Sequence, residues 1–144
     1  MSSWTQDIHE MHLHYGFHDK VDALDPQSLR KMLEFRFDFL KEELTEMGDA
    51  IDEKDGDGVV DSLIDLCVVA IGTLDLMHVD ADVAWNRVHE ANMSKEVGIK
   101  ASRPNPLGLP DLVKPEGWEA PVHEDNLGTL NAALQLDFDF GVDF

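Results

Sequence analysis

Cations, cysteine and long apolar runs are what this chain of 144 residues has least of. Eleven Lys and Arg stand against 30 Asp and Glu, a formal net charge of −19 with the seven histidines neutral. Such a surface repels phosphate backbones and anionic headgroups alike, which excludes a sequence-independent grip on nucleic acid and membrane binding through charge. The single cysteine, Cys67, has no internal disulfide partner and lies in an apolar run, so it reads as a small core residue in a reducing setting. The longest nearly uncharged apolar run, Leu63 to Leu74, is shorter than the roughly 20 residues that cross a bilayer. The N-terminus lacks the basic start and apolar stretch of a secretory signal, so a cytoplasmic protein is expected.

What is present is helical punctuation and helical spacing. A hydrophobic fraction of 43% is ample for one packed core. Trp4, Ile8, Met11 and Tyr15 recur at steps of three or four and predict a short amphipathic helix ending near Gly16. Asp25-Pro26 is a helix start, and Leu29, Leu33, Phe37, Leu40, Leu44 and Met47 then trace one face as far as Ala50. The run from Asp52 to Gly58 ends that helix. Val59 to Met77 is apolar on every side, as expected of a helix enclosed by others or by a second subunit. A third major helix begins near Asp80 and runs through Trp85, Val88 and Ala91 towards Lys95. Past Gly98, Pro104, Pro106, Pro110, Pro115 and Pro121 argue against regular structure, and the last basic residue is Lys114. The expected architecture is all-α: an antiparallel bundle of about four helices over residues 1–98, then an irregular Pro-rich segment and acidic tail over 99–144.

Several carboxylates sit where apolar side chains belong. Glu43 lies three residues after Leu40 and four before Met47, and Glu46 stacks one turn further on. Asp61 and Asp65 are likewise one turn apart in the most apolar segment of the chain, where at least Asp65 is expected to be buried. Unpaired ionised carboxylates in an apolar interior cost several kcal/mol, and setting two pairs together adds repulsion. No Lys or Arg lies between Asp55 and Arg87, and Lys41 is one residue off the required face, so a divalent cation is the natural counter-charge. Ligands that are all oxygen point to a hard ion, Mg²⁺ or Mn²⁺, in preference to zinc. Taken alone, Glu42, Glu43 and Glu46 are also what a solvated acidic helix face looks like; the second pair is what weighs against that reading.

The arrangement Glu42-Glu43-Leu-Thr-Glu46, followed by Asp61-Ser-Leu-Ile-Asp65, resembles the MazG-like members of the all-α nucleoside triphosphate pyrophosphohydrolases, a superfamily that includes phosphoribosyl-ATP pyrophosphohydrolase. The similarity continues through the run after Asp65, through His89-Glu-Ala-Asn92-Met-Ser-Lys95 and through Lys114-Pro-Glu-Gly-Trp118, covering about residues 26 to 118, and it looks closest to the phage-encoded branch. The resemblance implies hydrolysis between the α and β phosphates of a (d)NTP, giving a (d)NMP and pyrophosphate. It further implies Mg²⁺ on Glu43, Glu46 and Asp65 with Glu42 as a supporting acid. The family's ExxD glutamate falls at Ser62, and Asp61 beside it is taken as its replacement. Asn92 and Lys95 match the residues that contact the triphosphate; Lys95 is equally a cation placed to favour the helix dipole. A metal-lowered water pKa would supply the nucleophile, with Glu42 or Glu43 accepting the proton. Phosphoribosyl-ATP remains an alternative substrate, and a homo-oligomer, dimer or tetramer, is expected from the all-round apolar helix.

Two readings without an enzyme compete. Residues 53–64 partly match an EF-hand calcium loop, yet Glu53 stands where Asp is wanted and Ile64 where the bidentate Glu belongs. Gln135-Leu-Asp-Phe138-Asp-Phe140 resembles the peptides that dock on sliding clamps, a match short enough to arise by chance. His9, His12, His14 and His18 invite a metal reading, but Gly16 interrupts any helix between 14 and 18, and surface or base-contacting histidines are expected instead.

Overall fold

Ser3 opens the first helix with a capping box: its hydroxyl accepts from the Gln6 N–H at 3.2 Å, and the Gln6 side chain accepts from the Ser3 N–H at 3.0 Å. In the computed structural model, which describes residues 2–103 and 107–135, helix α1 then spans Trp4–His14. Gly16 follows in the left-handed region at φ 71°, which turns the chain into α2, Phe17–Asp22, a short helix not foreseen from the sequence. Asp25 caps α3, Pro26–Asp52, by accepting the Ser28 N–H at 2.7 Å with Pro26 at the first helical position. Asp55 in turn caps α4, Gly56–Leu76, through the Gly58 N–H at 3.0 Å. This helix starts three residues earlier than its apolar texture suggests, because Asp55 supplies the cap and two glycines are tolerated in the first turn. α5 covers Ala81–Met93.

The long helices α3 and α4, joined by three residues, form an antiparallel hairpin. The inward face of α3 keeps Leu29, Leu33, Leu40, Met47 and Ala50 as expected and differs at two positions. Phe37 and Leu44 are exposed, at 60% and 57%, and their places are taken by Arg36 and Glu43, giving the stripe Leu29, Leu33, Arg36, Leu40, Glu43, Met47, Ala50. The matching stripe of α4 is Gly58, Ser62, Asp65, Val69, Gly72, Leu76. Small side chains there leave space that Arg36 fills, donating to the Val69 carbonyl at 3.0 Å and the Thr73 hydroxyl at 2.9 Å. Burial lowers the Arg36 pKa from its ordinary value.

At the far end of the hairpin, Leu29, Met77, Val79 and Ala133 form the core cluster, with Val21, Met32, Leu74 and Leu130 packed on it. Burial of the larger side chains, Leu29, Met77 and Val79, contributes about 1.5–3 kcal/mol each. Ala133 lies on a helical segment, 130–135, that returns to α4 after the Asn126 side chain exchanges two 2.8 Å hydrogen bonds with the Asp80 backbone.

The chain divides into two compact units, residues 1–81 with 126–144, and residues 82–125. Within the second, the expectation of irregular structure after Gly98 is corrected by a small antiparallel ribbon, β1 Glu96–Gly98 pairing with β2 Asp111–Val113. Strands of three residues carry too little alternation to be read from sequence. Trp118 closes α5 by donating to the Ala91 carbonyl at 2.8 Å and the Ser94 hydroxyl at 2.9 Å. Arg87 clasps Asp125 through two hydrogen bonds of 2.6 and 2.9 Å. Helices dominate the described residues, so the fold is all-α as expected, and no described helix is long and apolar enough to cross a membrane.

Candidate functional site

Glu43 occupies a core position of α3 and is 7% exposed. Burial holds its carboxyl above the ordinary glutamate range, and the negative charges of Glu46, Asp65 and Asp61, together with a hydrogen-bonded contact to Glu46, push the same way. Its Oε2 is closed off from solvent and has no hydrogen-bond partner. Glu46 on α3 and Asp61 and Asp65 on α4 thus lie near enough to Glu43 for their charges to act on it. Asp65 is half-buried, not buried, and Asp61 and Glu46 are exposed, so the cluster opens to water on one side. Glu42 is exposed and shares with Glu46 a shallow open depression lined also by Asp38, Lys41 and Thr45. Ser62, where the ExxD glutamate was expected, is buried against α3.

This donor set suits a hard divalent ion. Three carboxylates act on a fourth, one buried oxygen lacks a partner, and among the described residues none of the four has a salt bridge to Lys or Arg. The one ammonium nearby on α3, Lys41, pairs with Asp38 at 3.0 Å instead.

Asn92 and Lys95 stand in the second unit. Asn92 is exposed near the end of α5, and the Lys95 ammonium lies over the Trp118 ring, 5.2 Å from its centroid. Lys114 covers the same ring at 5.1 Å. These three residues belong to the motifs quoted from the sequence, and Trp118 is what gathers the two cations.

The calcium-loop reading is not supported. Glu53 is the C-cap of α3, Lys54 takes a left-handed turn at φ 58°, and residues 56–64 are helical, which leaves no twelve-residue loop. The clamp-like tail, apart from Gln135, lies outside the described residues.

The histidines are the larger correction. His12 and His18 are buried, not surface residues, and with His9 they converge on Asp75 of α4. His9 and His14 stay exposed, His14 with its ring against Tyr15. Asp75, His78, Asp22 and Arg36 were missed from sequence, although a signal existed. Asp75 sits in the same cation-free apolar segment as Asp65, and the argument applied to one applies to the other.

A hairpin of long helices carrying carboxylates around a buried, unpartnered glutamate oxygen defines a helical-bundle protein with an acidic centre. The family model for phosphoribosyl-ATP pyrophosphohydrolase matches residues 12–92, more than half of the chain, and the chain belongs to that family. The family implies a pyrophosphohydrolase. No curated protein matches the chain significantly.

Proposed function

We propose that the protein is a Mg²⁺-dependent nucleoside triphosphate pyrophosphohydrolase that cleaves between the α and β phosphates of a (d)NTP, releasing a (d)NMP and pyrophosphate. The observation that carries this reading is the like charge of Glu46, Asp61 and Asp65 acting on the buried Glu43, whose inner oxygen has no partner. Glu43, Glu46, Asp61 and Asp65 would hold the ion. When bound, a divalent cation there neutralises phosphate oxygens and makes a water acidic enough to attack at neutral pH.

The rest of the chemistry falls to the chain. Glu43, whose proton affinity is already raised, and the exposed Glu42 beside it are the candidates to accept the proton of the attacking water. Asn92 offers an amide and Lys95 a point cation to the triphosphate oxygens, and the Trp118 ring holds the Lys95 ammonium in place. With a net charge of −19 the protein meets a triphosphate only when cations screen it, so activity is expected to vanish with chelator.

Phosphoribosyl-ATP is the second reading, favoured by the description of the matched family and sharing the same α–β linkage. A panel of ribo- and deoxynucleoside triphosphates together with phosphoribosyl-ATP, incubated with Mg²⁺ and read as monophosphate and pyrophosphate by chromatography, separates the two. No pyrophosphate from any of them overturns both.

A further inference from the structure

We propose that His9, His18 and Asp75 form a second metal site, for a zinc-class divalent cation, at the junction of α1, α2 and the end of α4. The proposal is independent of the carboxylate cluster and of the reaction assigned to it.

The geometry is convergent. Asp75 Oδ1 lies 2.8 Å from His9 Nδ1, and its Oδ2 lies 2.8 Å from His18 Nε2 and 2.7 Å from His12 Nδ1. The donor atoms of His9, His18 and Asp75 all lie within 4.8 Å of one another, and those of His18, Asp22 and His78 meet the same limit. The His9 and His18 rings are 5.0 Å apart, and His18 and His78 are 5.5 Å apart. One carboxylate needs a single imidazolium for charge balance. Three histidines, from α1 and α2, brought onto one carboxylate exceed that need.

Imidazole nitrogen with one carboxylate is the donor set of Zn²⁺ and its neighbours, whereas Mg²⁺ prefers oxygen alone. Bonds of about 2.1 Å place neighbouring ligands of a tetrahedral ion roughly 3.4 Å apart, so the two imidazoles need to retreat from Asp75 by about 0.6 Å. Three protein ligands leave a fourth position, for water or for a donor from the His78–Asp22 pair, itself joined at 2.6 Å.

The surroundings are built for such a site. His12, 1% exposed, donates to the same Asp75 oxygen and fixes the carboxylate from behind, as outer-sphere partners do. Gly72 makes the room for it: a Cβ there would lie 3.2 Å from His12 Cε1 and 2.6 Å from Arg36 Nη2. The left-handed Gly16 turns α2 so that His18 faces α4 beside His9. The His9 side chain is 51% exposed, so an ion has a route from solvent.

The test uses the full chain, stripped with chelator and carrying Glu43→Gln and Glu46→Gln so that the acidic cluster no longer competes. Co²⁺ is titrated while the visible spectrum is recorded, and Zn²⁺ is then added in competition. The expected result is one equivalent of Co²⁺ bound with intense four- or five-coordinate bands, displaced by Zn²⁺. Affinity should fall at least about tenfold in Asp75→Asn and in His9→Gln, and stay unchanged in His14→Gln. Because His9 is exposed, His9→Gln keeps the fold, which circular dichroism checks. Absence of Co²⁺ binding would make the cluster a hydrogen-bonded seam only and overturn the proposal. Binding that is unchanged in His9→Gln would place the ion elsewhere, with the same consequence.

Discussion

At Glu43 burial and like charge act in the same direction, and the sign of their effect on stability is fixed. Its folded pKa lies above the ordinary carboxyl value, so the group contributes stability while protonated and loses it as pH rises through the raised value. Without metal at neutral pH the chain therefore carries a penalty that Glu43→Gln removes. The expected outcome is a melting temperature in chelator that rises by about 2–5 °C, with pyrophosphate release falling roughly a hundredfold or more. Parallel thermal scans and turnover assays check both, and a raised melting temperature with unchanged turnover would leave the acidic cluster a structural feature only. Glu43 was legible from sequence because an acid at a core register is conspicuous. Arg36 was not, because Phe37 and Leu44 offer a competing stripe one residue away, and only the small inward residues of α4 decide between them. Asp75 was hidden for a different reason: its three imidazole contacts span 57 to 66 residues of sequence, and no periodicity within one helix reports on them.

At the level of elements, helix starts were the best-marked features, since each cap is local: Asp25 with Pro26, and Asp55 ahead of Gly58, are complete within four residues. The return segment after Asn126 is fixed by backbone geometry that composition does not show. Gly128 adopts φ +54°, and a Cβ there would fall 2.0 Å from the Met77 carbonyl oxygen. The Thr129 N–H bonds that same oxygen at 2.8 Å and starts the turn that carries Leu130 and the fully buried Ala133 onto the core. Gly128→Ala is expected to lower the melting temperature by about 5 °C or more, through steric conflict and lost cover of Met77. The metal affinity proposed for the Glu43 cluster should be untouched, because that cluster lies on the α3–α4 hairpin several turns away. Calorimetric unfolding and a metal titration on the same variant separate the two effects. A capping loss gives a milder contrast. Ser3→Ala removes the hydroxyl of the capping box, costs about 1 kcal/mol, and should appear as faster amide exchange in α1 alone.

For the molecule as a whole, the discrepancy is between composition and burial. Hydrophobic residues make up 43% of the chain, yet Val60, Leu63 and Ile64 on α4 and Leu44 and Ile51 on α3 lie exposed in the single chain. Apolar surface of this extent on two adjoining long helices is costly in water and is normally covered. We propose a second copy of the chain as the cover, since a closed symmetric pair buries the same patch twice. Charge opposes this association, because each copy brings a formal −19. Repulsion between exposed charges is screened over about 8 Å at physiological salt, whereas apolar burial is not weakened by salt. Light scattering is therefore expected to give a mass that is a multiple of 16.2 kDa, with dissociation at low ionic strength and tightening as salt is added. Leu63→Glu should shift the distribution towards one chain and lower its melting temperature, because it sets a charge in the centre of the patch. A single-chain mass for the unsubstituted protein at tens of micromolar and physiological salt would remove the second copy as the cover of that face.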